Sequence, residues 1–298
     1  MFDKPKGGTE LMYDELMKRL SDKEKEQFSI FNYISDADFS KTTIYWNQLS
    51  YDQSAVQFLQ DPKYIEQINH FVFVSHWQSE MFRKIFNIFG YKTSIIKNAC
   101  IGISPKTNTN PDKIKLCYTS TPWRGLKILL DAWELLNPKN CELHIFSSCK
   151  IYGNDFAEND TQYLDLYEKC NQLPNVVYRG SIPNDELRKE LPTFDILAYP
   201  NTFEETSCIS VIEALSAGLR VVTSNLGALP ETTEGLARIY PYLMDEKKHA
   251  EKFAQILLEE IEFIKSGLFI PTKQIEIYKP RWSWDVRIKE WKKLLNEL

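Results

Sequence analysis

Two glutamates eight positions apart, Glu205 and Glu213, stand where an apolar run gives way to a polar loop and then to a helical pattern. The stretch from Phe194 to Asn225 reads FDILAYPNTFEETSCISVIEALSAGLRVVTSN. Its strand pattern ends at Pro200, a polar loop carries Asn201 to Glu205, and helical spacing begins near Ile209. Gly218 closes that helix as a left-handed cap, and a strand follows at once. Glu205 therefore belongs to a loop before the helix, and Glu213 to its second turn. The first amides of a helix have no partner within it, and the helix dipole adds positive potential there. Ser207, Cys208 and Ile209 thus offer a seat for phosphate. Glu213 can accept two hydrogen bonds from a ribose diol, and Glu205 can accept from hydroxyls of a bound sugar. Each such bond to an ionised carboxylate is worth about 1.5–3 kcal/mol. Glutamates near a helix start also act as capping and dipole partners, so the pair alone leaves both readings open.

The elements that must hold these residues alternate along the chain as in a layered α/β protein with parallel strands. In the first third, strands are expected at 28–34, 43–46 and 71–74, with helical patterns at 9–20, 53–59 and 78–89. A polar segment with two prolines, 104–112, reads as a linker between domains. Alternation then resumes with strands at 114–118, 142–146, 176–178, 196–199 and 220–223, and helices at 125–136 and 209–217. Two such α/β halves are expected to face across a cleft, with ligands outside the carboxyl ends of the strands.

Composition narrows the class. The chain has 298 residues, 43% hydrophobic and 26% charged, enough to bury two ordinary cores without disulfide or metal staples. A net charge of −5 gives no general attraction to nucleic acid or to an anionic membrane. No apolar stretch approaches the roughly 18–20 residues of a membrane span, and no secretory leader pattern follows Met1. Cys100, Cys117, Cys141, Cys149, Cys170 and Cys208 form no C-x-x-C pair, so buried reduced thiols and a cytoplasmic location are expected.

Several strings, in order, carry a resemblance. Glu205 to Ala214, E-T-S-C-I-S-V-I-E-A, looks like the E-x7-E motif of retaining glycosyltransferase family 4. The likeness continues in Ala217 to Thr223 and in Gly227-Ala228-Leu229-Pro230-Glu231. Upstream it takes in Val177 to Pro183 with Glu186-Leu187, and Ile114 to Trp133. It covers about residues 114–240 closely and the first third loosely. It implies the GT-B fold, two Rossmann-like domains facing across a cleft, here with a shortened N-terminal domain. Residues 1–107, completed by a C-terminal helix at 282–298, would form the acceptor domain, and 108–281 the nucleotide-sugar donor domain. Only six residues precede Gly7, so the family's first strand is either missing or reduced to a remnant in 1–6.

Residue by residue, the resemblance makes Glu213 the ribose anchor and Glu205 the donor-sugar contact. The backbone of Thr206, Ser207, Cys208 and Ile209 would approach sugar and diphosphate, and that of Ser181 and Ile182 the nucleobase. Where the family places a Lys before Gly on the diphosphate, this chain has Arg124-Gly125, whose fork of donors suits phosphate. The family's usual Arg is replaced by Ser120 or Thr121, and Lys127 would compensate if its side chain faced the cleft. Gly7-Gly8-Thr9-Glu10 resembles the glycine loop that lets backbone amides approach the diphosphate. On the acceptor side, Gln48 stands near the family's histidine position, and His76 follows a strand. Trp282, Trp284 and Trp291 are expected to pack rather than to bind sugar.

The activity so implied is hexosyl transfer with retention, without metal or other cofactor, from a UDP- or GDP-sugar to a glycan or other hydroxyl acceptor. A same-face displacement fits the lack of a positioned nucleophile. Nucleic acid is not an expected partner. Three other readings remain open. Asp36-Ala37-Asp38 is a literal D-x-D that would suit a metal-dependent transferase. A non-catalytic nucleotide-sugar-binding protein, or a nucleotide-sugar epimerase, would keep the donor site with other chemistry.

Overall fold

The computed structural model describes residues 7–106, 112–152 and 154–298. Residues 1–6, where a strand remnant was expected, lie outside the described residues, as do 107–111 of the expected linker. The first half holds α1 (Gly8–Met17), α2 (Asp22–Gln27), β1 (Phe28–Phe31), β2 (Thr42–Asn47), α3 (Pro62–Gln67), β3 (His70–Phe73), α4 (His76–Phe86) and β4 (Thr93–Ile95). The second half begins with β5 (Ile114–Tyr118), α5 (Leu126–Leu136), β6 (Cys141–Ile145), α6 (Leu164–Gln172), β7 (Val176–Tyr178), α7 (Asn184–Glu190) and β8 (Ile196–Tyr199). It continues with α8 (Ile209–Ala217), β9 (Arg220–Ser224), α9 (Leu229–Thr233), β10 (Arg238–Tyr240), α10 (Glu246–Lys265), α11 (Pro271–Tyr278) and α12 (Trp284–Glu297).

Both sheets are parallel. The first runs β1-β2-β3-β4, wound in one direction, with Tyr45 opposite Phe71 and Phe71 opposite Thr93. The second runs β10-β9-β8-β5-β6-β7, so the winding reverses between β5 and β8. Such a reversal parts the loops that leave the two central strands and opens a crevice above their carboxyl ends.

Side-chain alternation decides which face each strand buries. Ile44, Trp46, Val72 and Val74 point to one face of the first sheet, where α1 and α12 cover them with Met12, Leu16, Trp291 and Leu295. Trp291 meets Trp46 edge-on at 5.0 Å, so the last helix of the chain packs on the first sheet. The alternate residues Tyr45, Phe71 and Phe73 turn to the opposite face and form an aromatic layer with Phe31 and Phe82. The second sheet has one larger core, in which α5, α8 and α10 bury Leu129, Trp133, Val211, Leu215, Phe253 and Leu257.

Element ends differ from the sequence pattern where local hydrogen bonds intervene. The first strand stops at Phe31 because the Asn32 side chain donates to the Trp46 carbonyl and turns the chain. The 53–59 segment winds as a 3-10 helix, Ser54–Gln60, rather than an α-helix. α4 begins two residues before the expected start, capped by Ser75, whose hydroxyl accepts from the Gln78 amide. The short edge strands β4 and β10 and the twenty-residue α10 were not anticipated. At the linker's first end, Lys106 is buried and paired with Asp195 of the second half at 3.0 Å, which fixes the crossover to that sheet.

Candidate active site

The loops leaving β5 and β8, the two strands at the reversal, approach one another across the crevice. Their contact depends on Gly125, at φ +117, where a Cβ would stand 2.2 Å from the Pro200 carbonyl oxygen. Only glycine permits that backbone and that approach together. The β8 loop is stiffened by Asn201, buried, whose side chain accepts from the Phe203 amide at 3.0 Å. Gly227 lies against the backbone of Glu205, a Cβ there falling 2.4 Å from its carbonyl oxygen, and the Ala228 amide donates to that oxygen at 2.6 Å. The Gly227-Ala228 string thus fixes the position of Glu205 from beneath.

Glu205 is 4% exposed, and one carboxylate oxygen receives both the Arg124 guanidinium at 2.7 Å and the Tyr199 hydroxyl at 2.5 Å. Arg124 also lies over the Phe203 ring, 4.4 Å from its centroid. Burial, and then the charge of Glu205, holds the Tyr199 hydroxyl well above its ordinary pKa, so it stays a proton donor. A buried carboxylate satisfied this way needs its partners: losing the cation from such a pair costs about 3–5 kcal/mol.

α8 starts immediately after this loop. Its first turn points into a cleft of ≈ 770 Å³ between the two halves. From the second half the cleft is lined by Ser120, Arg124, Ser181, Ile182, Glu205, Thr206, Ser207, Cys208 and Ile209, among others. From the first half Gly7, Gly8 and Gln48 line it. Gly8 opens α1 and touches Ile209, a Cβ there coming within 2.8 Å of the Ile209 Cδ1, so two helix N-termini converge on the same space. Gln48 accepts from Asn98 through its side chain and from the Thr206 hydroxyl through its carbonyl, which ties the two walls together.

Three of the sequence candidates do not line the cleft. Lys127 turns outward to Asp131 at 3.0 Å and to Glu246, at the start of α10, at 2.8 Å. His76 is exposed at the head of α4, where its backbone amide donates to Glu231, and its ring borders a separate hollow with Arg281 and Arg287. Glu213 is buried on α8 with Arg188 of α7 at 3.6 Å. Burial pushes its carboxyl up to about 7, against the opposing pull of that guanidinium. Asp36 and Asp38 of the D-x-D string are exposed and away from the cleft, with Asp38 accepting from Ser40.

The cleft also contains residues that the sequence reading passed over. Glu10 and Tyr33 line its first-half wall, and Trp123, 39% exposed, borders it beside Tyr163. Among the described residues, six buried atoms of residues that border the cleft have no hydrogen-bond partner: Gln48 Nε2, Ser50 Oγ, Asn98 Oδ1, Thr121 Oγ1, Ser147 Oγ and Ser207 Oγ. These atoms are shielded by their neighbours and lie behind the cleft surface, so the groups open to a ligand are the helix-start amides, Arg124 and Glu10.

The family model described as glycosyl transferases group 1 matches residues 114–262, half of the chain. Among solved structures, the chain is similar to the Anabaena protein HepE in complex with UDP-glucose, at TM-score 0.69 and 14% identity over 97% of this chain and 82% of that one. It is similar to sucrose-phosphate synthase from Thermosynechococcus elongatus, at TM-score 0.64 and 15% identity over 91% and 73%. A glycosyltransferase from Rickettsia africae aligns at TM-score 0.65 and 11% identity over 100% and 83%. At these identities the likeness is one of fold, the GT-B arrangement of two Rossmann-like domains. No curated protein sequence matches the chain.

Proposed function

The chain belongs to the group 1 glycosyl transferases, and from that premise we propose that it moves a sugar from a nucleoside-diphosphate sugar to a hydroxyl acceptor, with retention and without a metal. The observation that carries the reading is the convergence of the α8 and α1 starts on one cleft, beside the Arg124–Glu205 pair. Unpaired amides at two helix starts and a guanidinium between them suit a ligand rich in phosphate oxygens and hydroxyls. HepE, a structural neighbour, holds UDP-glucose, which supports a donor of the same class here.

In this reading residues 108–281 carry the donor, and residues 1–107 with 282–298 carry the acceptor. The diphosphate sits on the amides that open α8, with the Gly7-Gly8 turn above it and the nucleobase against Ser181 and Ile182. Arg124 links both ends of the site, since it pairs with Glu205 and also lines the cleft. Its guanidinium balances the charge that develops on the departing diphosphate, a cation held in place by Glu205 before the reaction. Glu205 accepts from the donor sugar through the oxygen not engaged by Tyr199. Glu213, buried behind the cleft wall, holds the ribose diol once the first turn of α8 shifts to admit it, and Arg188 opposes the burial that pushes its carboxyl up to about 7. A phosphate oxygen of the donor takes the proton of the attacking hydroxyl on the same face, so the anomeric configuration is kept.

The test is turnover of UDP- and GDP-sugars with a panel of sugar acceptors, followed by NMR of the anomeric proton. The expected product keeps the donor's configuration, at a rate unchanged by EDTA. Inversion overturns the mechanism, and activity lost to EDTA and restored by Mn²⁺ overturns metal independence. Tight donor binding with neither transfer nor hydrolysis overturns the transferase reading and leaves a binding protein.

A further inference from the structure

The charged residues that line the cleft, among those described, are Glu10, Arg124 and Glu205. Arg124 and Glu205 neutralise each other at 2.7 Å. Glu10 stands apart from them, on the wall supplied by the first half of the chain. It lies in the first turn of α1, half-buried, and receives the Tyr33 hydroxyl on one carboxylate oxygen at 3.3 Å. Burial, together with the charge of Glu10, pushes the Tyr33 hydroxyl up to about 12, so it serves as a donor throughout the neutral range.

An acid in the first turn commonly complements the helix dipole or closes a capping box. The capping-box explanation fails here, because the N-cap is Gly7 and no side-chain cap bond forms. The same wall is otherwise neutral: Gln48, Ser50, Gln53, Ser54 and Asn98 border the cleft beside Glu10. A diphosphate on the amides of α8 and of the Gly7-Gly8 turn is repelled by the Glu10 carboxylate, so Glu10 itself faces another group. What suits a carboxylate set among neutral amide and hydroxyl side chains is a neutral polyol, whose hydroxyls donate to Glu10.

We propose that Glu10, oriented by Tyr33, is the acceptor-binding carboxylate of the first half, and that the acceptor group it takes is an uncharged sugar ring rather than a phosphorylated one. This rests on the transferase reading given above. It adds the class of the acceptor and a residue that holds it.

The test uses the full chain saturated with UDP, probed by saturation-transfer NMR with methyl α-glucopyranoside and, separately, glucose 6-phosphate. The parent is expected to bind the neutral glycoside. Glu10→Ala is expected to weaken that binding by about tenfold or more, the scale of one hydrogen bond to a charged group, and Tyr33→Phe by about threefold. UDP affinity, measured in parallel, should stay within about twofold of the parent for both variants, since no donor contact is removed. A fall in UDP affinity matching that of the glycoside overturns the assignment, because Glu10 would then act through the Gly7-Gly8 turn. Unchanged glycoside binding in Glu10→Ala, tighter binding of glucose 6-phosphate by the parent, or UDP binding with no glycoside binding overturns it while leaving the donor site standing. A parent that fails to bind UDP overturns both.

Discussion

The second sheet reverses its winding between β5 and β8, and both loops at the reversal enter the cleft. The first sheet is wound one way through its four described strands, and its share of the cleft comes from the start of α1 and the turns after β1 and β2. The physical consequence is a difference in rigidity. On the second-half wall, Gly125 and Gly227 sit against neighbouring backbone, and Glu205 is held by Arg124, Tyr199 and Ala228. On the first-half wall, the polar groups touch each other sparingly: Glu10 has Tyr33, and Gln48 has Asn98. A wall fixed before the ligand arrives suits a donor common to many transferases. A wall made from a helix start and turns, with fewer backbone contacts to lock it, suits the partner that varies.

The largest effect that would sharpen this contrast is structural. Gly125→Ala forces a side chain onto a backbone at φ +117 and into the Pro200 carbonyl. It is expected to lower stability by about 3 kcal/mol or more in urea unfolding. A variant as stable as the parent would show that the β5 and β8 loops are free to separate.

Next in size is Glu205→Gln, which removes the charge paired with Arg124 but keeps the shape. Turnover is expected to fall on the order of 100-fold while donor affinity changes little, the sign of a group that acts mainly in the transition state. Equal losses in affinity and turnover would place Glu205 in ground-state binding.

Glu213 gives a pH-dependent case. Its carboxyl holds a proton up to about 7 in the folded chain, against 4.5 as the ordinary value. The folded state thus binds the extra proton between those values, and stability falls as pH rises through that window. Glu213→Gln is therefore expected to raise the melting temperature at pH 8 relative to the parent, and to leave it near the parent's at pH 5. Donor affinity of the parent should rise severalfold from pH 6 to pH 8, and the glutamine variant should lose both the rise and the affinity. A parent whose donor affinity is flat over that range would break the assignment of Glu213 to the ribose.

The smallest effect lies between the walls. Tyr51 donates to Glu204 across the cleft at 2.9 Å, a half-exposed bond worth about 0.5–1 kcal/mol. Tyr51→Phe is expected to change turnover by less than about threefold. A larger loss would mean that closure of the cleft rests on this one contact.

The parallel α/β layering was legible because apolar runs alternate with helical spacing, and α8 was read to the residue because Gly218 ends it. The approach of Arg124 to Glu205 was not legible, since it depends on β5 lying beside β8, and strand order leaves no mark in local pattern. Lys127 faces α10, an element for which no helix was expected, so its outward turn had no visible cause. β4 and β10 have three residues each, too few for alternation to register. Glu10 and Tyr33 were hidden for a similar reason: they lie twenty-three residues apart and meet only through the packing of α1 beside the end of β1.

The most direct test of the donor site is hydrogen–deuterium exchange of the full chain with and without saturating UDP. Protection is expected at the amides of 206–210, where α8 opens, and at 119–125, the loop after β5. No protection there, or protection confined to the hollow beside His76 and Arg287, would contradict a donor held at the reversal of the second sheet.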